Sequence, residues 1–387
     1  MKFLIIPLIL LYFSLWVSTD PSENAESTPQ DSLQKDSTEV LLLFSGDVMQ
    51  HMPQINAAWD TSCQCYNYDS TFAYISPLFN MADIAIINLE TTLAGKPYSG
   101  YPQFTAPDEL VTGLQKAGID ILATSNNHSC DKGRKGIERT LKIIDSLGLQ
   151  RTGTFYDSLD QKLFNPLYIE VKGLKIALLN YTYGTNGILT PKPTIVNRID
   201  TSAIRRDYHT AIISGADIVI PFFHWGIEYQ TAPNEEQKMI AEFCMRLGMK
   251  LIIGSHPHVI QPAQTYISDK DTAIVVWSLG NFVSNQRQIN TDGGMSVMVK
   301  LIKEERHYKV INTGYILHWV YIQTDSSGKK TYKVLPISEY QKKTSALTPD
   351  ALEKMNLFDE RTKTLITTVE NPIKEITFDS LSNKWVF

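Results

Sequence analysis

Met249-Lys-Leu-Ile-Ile253, followed by Gly254-Ser-His-Pro-His258, decides how this chain is read. The first five residues are apolar but for one lysine and suit a buried β-strand. The next five leave that strand through a glycine turn and carry two imidazoles two residues apart. Both can turn toward one point beyond the strand's carboxyl end, where open α/β sheets hold their ligands. Histidine is the commonest transition-metal ligand, and the 387 residues contain only eight.

Working outward, the same device recurs. Apolar runs at 40–45, 84–87, 119–123, 174–179, 218–223, 251–253 and 273–277 read as strands covered on both faces. Amphipathic helical patterns lie between them at 71–81, 109–116, 133–147, 202–214 and 235–247. Asp108 and Asn234 stand where N-caps belong, and Gly118, Gly148, Gly215 and Gly248 where helices stop. Alternation of strand and helix predicts an α/β fold. After about residue 293 the texture changes to alternating strands at 295–302, 308–311, 314–322 and 330–335, a meander expected to form a second sheet packed on the first. Residues 349–369 read as a closing helix.

Five of the strands end in an acid, an amide or an imidazole. Asp47 follows Ser45-Gly46, Glu90 follows Asn88-Leu89, and Asn127 with His128 follows Ser125-Asn126. His224 follows Phe222-Phe223, and His256 with His258 ends the stretch quoted first. Each alone has a bland explanation as turn chemistry, a helix cap or a satisfied core histidine. Jointly they predict a metal site assembled from strand ends. Mixed histidine and carboxylate donors suit one or two ions of Zn, Mn or Fe, and Glu90 is placed to bridge two. Ser278-Leu-Gly-Asn281 supplies a further glycine turn and amide for lining the pocket. His209, His307 and His318 lack the strand-end placement and read as structural, while the direction of His51 stays open.

Net charge is −5, with 43% hydrophobic and 20% charged residues, and no Lys/Arg stripe appears. That excludes a nucleic-acid footprint. Residues 1–18, with Lys2 ahead of an apolar run over 3–17, read as a signal peptide cleaved near Ser18-Thr19 or as an uncleaved anchor, so the chain is expected to be exported to the periplasm or cell surface. Residues 19–39 are polar and read as a disordered tether. The expected folded domain covers 40–345, with 346–387 as an extension packing on it. Of the four cysteines, a Cys63–Cys65 bridge would close a very tight ring. Export permits disulfides and the pairing cannot be read from the sequence, so bridges and mostly free buried thiols both stay open; the spacing fits no zinc ribbon.

The ordered motifs Gly46-Asp47, Asn88-Leu-Glu90, Asn126-Asn-His128, His224-Trp-Gly226, Ser255-His-Pro-His258 and Ser278-Leu-Gly-Asn-Phe282 resemble those of the CapA family, the capsule-synthesis or poly-γ-glutamate biosynthesis proteins also called PgsA. That family is in turn similar to the calcineurin-like metallophosphoesterases. The resemblance implies a four-layer α-β-β-α sandwich. It also implies Asp47 and His258 on a first metal, Glu90 bridging, Asn127, His224 and His256 on a second, and His128 as proton donor or electrostatic stabiliser. The chain departs from the phosphoesterase pattern at Met49, where a histidine is expected, and at Glu90, which replaces an aspartate.

Three functions follow as expectations. The first is an exported metal-dependent hydrolase-like enzyme acting on an anionic envelope polymer such as poly-γ-glutamate, at an amide or ester bond. The second is a non-catalytic export or scaffold component, partnered with membrane-bound polymer-synthesis proteins. The third is a generic phosphoesterase.

Overall fold

In the computed structural model, residues 39–267, 272–304 and 307–386 are described. The expected signal segment and tether lie outside the described residues, apart from Glu39. The chain enters through β1 (Glu39–Val48) and α1 (Met52–Ala58). Next come β2 (Ile84–Leu89), α2 (Glu109–Ala117), β3 (Ile121–Ala123), α3 (Gly133–Ser146) and the short β4 (Gln150–Thr152). A second run holds β5 (Leu167–Val171), β6 (Leu174–Thr182), α4 (Thr201–Ile213), β7 (Ile218–His224), α5 (Glu235–Leu247) and β8 (Leu251–Ser255). Strands β9 (Ile260–Ile267), β10 (Thr272–Leu279) and β11 (Asn281–Val283) lead into β12 (Gly293–Glu304), β13 (His307–Thr324) and β14 (Lys330–Pro336), and α6 (Pro349–Ile366) follows.

Two sheets result. One has the order β14-β13-β12-β1-β2-β3-β4, with β11 paired beside β1, and the other the order β9-β10-β8-β7-β6-β5. Successive residues on a strand point to opposite faces, and that period of two builds the layers. Leu42, Phe44, Ile86, Ile176, Leu178, Ile220, Phe222, Leu251 and Ile253 form the core between the sheets. There Phe44 meets Phe222 edge-on across the interface at 6.4 Å. Their neighbours Leu43, Ala85, Ile87 and Leu122 face outward onto Leu110, Leu114 and Ile144 of the helices. On the other side Ala177, Leu179, Val219, Phe223 and Ile252 pack against Ile204, Ala211, Ala241 and Cys244. The architecture is therefore the four-layer α-β-β-α sandwich, with Ala351, Met355 and Phe358 of α6 joining the inter-sheet core.

Two expectations need correction, and two further readings are refined. The late meander is not the second sheet: β12 pairs antiparallel with β1 and extends the first sheet. The second sheet is made from the middle strands, because β1 has a free edge whose backbone groups β12 satisfies. The helix expected over 71–81 is two short turns, Asp69–Phe72 and Ser76–Phe79. Asp108 does hold the N-cap position of α2, but its side chain makes no cap bond; its carboxylate instead takes both guanidinium arms of Arg139 at 2.6 Å, tying α2 to α3. Finally, Cys63 and Cys65 are disulfide-bonded, and only Cys130 and Cys244 are buried free thiols. The intervening Gln64 adopts a left-handed φ of 52°, which folds the chain back and brings the two Cα atoms to 5.2 Å. That separation lies within the ordinary range for a disulfide.

Both sheets present their carboxyl ends at the same edge. Asn180 on β6 fixes this alignment: its Oδ1 accepts from Ser125 N at 2.7 Å, and its Nδ2 donates to Phe222 O at 3.0 Å. A side chain on Gly153 would place Cβ 2.0 Å from that Oδ1, so only glycine lets the sheets meet here. Among the described residues, no helix is long and apolar enough to cross a membrane.

Candidate metal centre

Asp47 sits near the end of β1, fully buried, in register with Asn88 on β2 and Asn281 on β11. Gly46 makes this approach possible, since a Cβ there would lie 1.9 Å from Gly280 O. Asn88 Nδ2 donates to Asp47 Oδ1 at 2.7 Å and holds the carboxylate in one orientation. The other oxygen, Oδ2, accepts weakly from His256 N at 3.3 Å and lies 3.2 Å from His258 Nδ1.

Glu90, one residue past β2, is the unusual group. It is fully buried, and neither carboxylate oxygen has a hydrogen-bond partner. Its Oε1 lies 3.6 Å from His224 Nε2 and 3.8 Å from His258 Nε2, between the two imidazoles. Burial above all, and then the Asp47 charge, pushes its carboxyl well above the usual carboxylate range. A buried charge without a partner is costly, and native proteins pair such groups or bind ions with them.

Asn126 and Asn127 divide their work. Asn126 Nδ2 donates to Leu89 O at 2.8 Å, and its Oδ1 accepts from His128 N at 3.1 Å, so it shapes the loop. Asn127 faces the pocket with Oδ1 3.0 Å from His224 Nε2, and its Nδ2 has no partner. His224 Nε2 is also 3.1 Å from His256 Nδ1. Two ligand atoms on one ion at about 2.1 Å stand roughly 3.0–3.4 Å apart for angles between octahedral and tetrahedral, so this spacing fits a shared cation. Burial first, then neighbouring imidazoles, drives His224 and His256 well below the ordinary histidine range and keeps them neutral, the form that binds metal.

Two of these histidines sit in strained backbone. His256 has φ 102° and His258 φ 59°, a region that non-glycine residues enter at a cost of order 1–3 kcal/mol each. The strain turns both rings back toward the strand ends. Asn281 Oδ1 lies 3.2 Å from His258 Nδ1 and helps to fix that ring.

The structure thus brings Asp47, Glu90, Asn127, His224, His256 and His258 to one pocket. Ligand atoms of Asp47, Glu90 and His258 lie within 4.8 Å of one another, as do those of Glu90, His224 and His256. These donor sets suit a divalent metal. His51 belongs to neither group: it precedes α1, and its Nδ1 accepts from Asn285 N at 3.3 Å. Burial lowers its pKa from 6.5 to about 4. Met49 is buried and contributes only a thioether.

His128 is buried, with its Nδ1 2.7 Å from Asp131 Oδ2, the same oxygen that accepts from Phe104 N at 2.6 Å. An ionised carboxylate only accepts, so Nδ1 carries the proton and Nε2 is left for the pocket. Phe104 packs edge-on at 4.6 Å and restricts the ring further. Asp131 was not singled out in the sequence; its signal was an acid three residues after a loop histidine. Tyr183 and Tyr229 were missed as well. They flank the pocket, Tyr183 over His256 at 4.6 Å and Tyr229 beside His258 at 6.1 Å. Burial and the Glu228 charge push the Tyr229 hydroxyl up to about 12.

A family model for bacterial capsule synthesis protein PGA_cap matches residues 41–286. The chain is 25% identical over 379 residues to the PGA biosynthesis protein CapA of Bacillus subtilis (strain 168), covering 93% of this chain and 86% of that protein. It is 26% identical over 280 residues to the capsule biosynthesis protein CapA of Bacillus anthracis, covering 69% of this chain and 65% of that one. Among solved structures it is similar to the NAD nucleotidase of Haemophilus influenzae, with a TM-score of 0.47 and 14% identity, over 84% of this chain and 63% of that chain. A calcineurin-like phosphoesterase, YfkN of Bacillus subtilis, gives a TM-score of 0.43 and 14% identity, over 86% of this chain and 98% of that chain.

Proposed function

The chain belongs to the bacterial capsule synthesis family PGA_cap, and on that premise we propose that it is an exported, metal-dependent, hydrolase-like protein acting on an anionic envelope polymer. We read poly-γ-glutamate in the abbreviation PGA that the family model and the Bacillus subtilis relative carry, and take an amide or ester bond as the point of attack. One observation carries the reading. Glu90 is fully buried with both oxygens unpartnered, amid imidazoles held neutral, and a divalent cation is the partner such a carboxylate lacks.

Asp47, Glu90 and His258 would hold one ion, and Glu90, Asn127, His224 and His256 a second, with Mn, Zn or Fe the metals that suit this donor set. A divalent cation there supplies Lewis-acid polarisation of an oxygen and neutralises developing negative charge. The rest is done by the chain itself. Asp131 accepts from His128 Nδ1–H and orients the ring; a second proton taken up on Nε2 would make it the imidazolium, which gives that Nε2 proton to the leaving group and returns to the neutral Nδ1–H form. Buried Asn88 and Asn281 keep Asp47 and His258 from rotating. Tyr183 and Tyr229 narrow the mouth.

The test is hydrolysis. Metal-loaded protein should shorten poly-γ-glutamate, and Asp47→Ala or His256→Ala should abolish the shortening. No cleavage of the polymer, with turnover of an activated aryl phosphate instead, would make the protein a general phosphoesterase. A second reading, a non-catalytic component of a membrane-associated synthesis complex, is favoured by Met49, which leaves the first ion position one histidine short. It predicts that both alanine variants keep their biological activity.

A further inference from the structure

Beyond β7 the loop 225–230 folds over the pocket and is tied down along its length. Trp225 N donates to Ser255 O at 3.1 Å, and Tyr229 N to Pro257 O at 2.8 Å. Gln230 O accepts from Gln261 Nε2 at 2.9 Å, and Tyr229 takes a left-handed φ of 66° to make the turn. Within this loop Glu228 is exposed, yet its carboxylate lies within 4.8 Å of ligand nitrogens on both His256 and His258. Those two histidines belong to different ion positions, and Glu90 lies between the same positions from the buried side.

We propose that Glu228 is an additional metal-holding residue, a second carboxylate that closes the centre from its solvent side opposite Glu90. The inference rests on the metal reading above and deepens it. Asp47, Glu90 and His258 give the first position three protein donors, and Met49 offers only a soft thioether, which suits hard divalent cations poorly. Glu228 restores a fourth donor. It also adds negative charge where two dications would face only the carboxylates of Asp47 and Glu90. An independent observation marks the pocket as built for ions: both Glu90 oxygens are unpartnered at complete burial. Glu228 differs from the other donors in facing solvent, so removing it leaves the core untouched.

The experiment is calorimetric titration of the metal-stripped full chain with Mn²⁺, repeated with Zn²⁺, for wild type, Glu228→Gln and Glu228→Asp. Glu228→Gln should lose one equivalent, or bind roughly tenfold to a hundredfold more weakly, the range that even outer supporting groups command at metal sites. Glu228→Asp should recover part of that loss. Unfolding midpoints in chelator should be the same for all three proteins. If Glu228→Gln binds as wild type does, and only a substrate KM moves, Glu228 is no ligand while the metal reading stands. If wild type binds neither ion, both fall together.

Discussion

Glu90→Gln should stabilise the metal-free protein and destabilise the metal-loaded one. Without a cation the carboxylate is buried, unpartnered and shifted well upward by burial and by Asp47. An acid whose folded pKa is raised destabilises the fold above its ordinary pKa of 4.5, and the penalty grows as pH rises toward the folded value. At pH 7 the penalty cannot exceed about 3 kcal/mol, because beyond that the folded protein takes up a proton instead. Glutamine keeps the shape, needs no proton, and donates to neighbouring oxygens and imidazole nitrogens. A gain of about 1–3 kcal/mol is expected in chelator at pH 7, shrinking toward zero near pH 4.5. Mn²⁺ at about a hundred times its dissociation constant should stabilise wild type by about 2.7 kcal/mol and the variant by much less. Urea denaturation with and without metal reads both differences. Equal or lower stability of the variant in chelator refutes the reasoning about the orphaned carboxylate. Equal stabilisation of both proteins by metal refutes its role as a ligand.

Three further perturbations bear on the account. Asp131→Asn should lower kcat on the cleaved polymer by roughly 10²–10⁴-fold while leaving KM and metal content unchanged, because it frees the His128 ring and its tautomer; an unchanged kcat contradicts the positioning role. His318 is fully buried behind Phe282, and burial lowers its pKa from 6.5 to about 4. Stability from its neutral form is complete above pH 6.5 and is lost as pH falls toward 4, about 3 kcal/mol in all. Denaturation midpoints of His318→Gln should therefore fall less steeply across that window than those of wild type. Gly46→Ala would put a Cβ 1.9 Å from Gly280 O unless the backbone shifts and should cost about 3 kcal/mol, the upper end of the usual overpacking range, read as a lower urea midpoint together with weaker metal binding.

Much of the site is written in local sequence because a strand end is a local event. An apolar run followed by Gly46-Asp47 or by His256-Pro-His258 needs no tertiary knowledge to place those groups at a sheet edge. Which sheet a strand joins is a different matter. The runs at 84–87 and 218–223 look alike, yet β2 and β7 lie in opposite sheets, because pairing is set by long-range edges such as the one β12 completes on β1. Glu228 was invisible for a similar reason. Four residues beyond His224 it reads as an ordinary solvated charge, and only the tie from Tyr229 N to Pro257 O brings it over the histidines. The Cys63–Cys65 bridge depended on one residue, Gln64, entering the left-handed region, which neither spacing nor composition signals.

Elemental analysis of the purified, folded chain is the most direct measurement, made on wild type and on His256→Ala. Strand-end donors gathered around a buried, unpartnered carboxylate predict one or two equivalents of Mn, Zn or Fe per chain, falling by at least one equivalent in the variant while its circular dichroism is retained. Wild-type protein that carries no transition metal, even after incubation with each ion, contradicts the account; so does a variant with undiminished content.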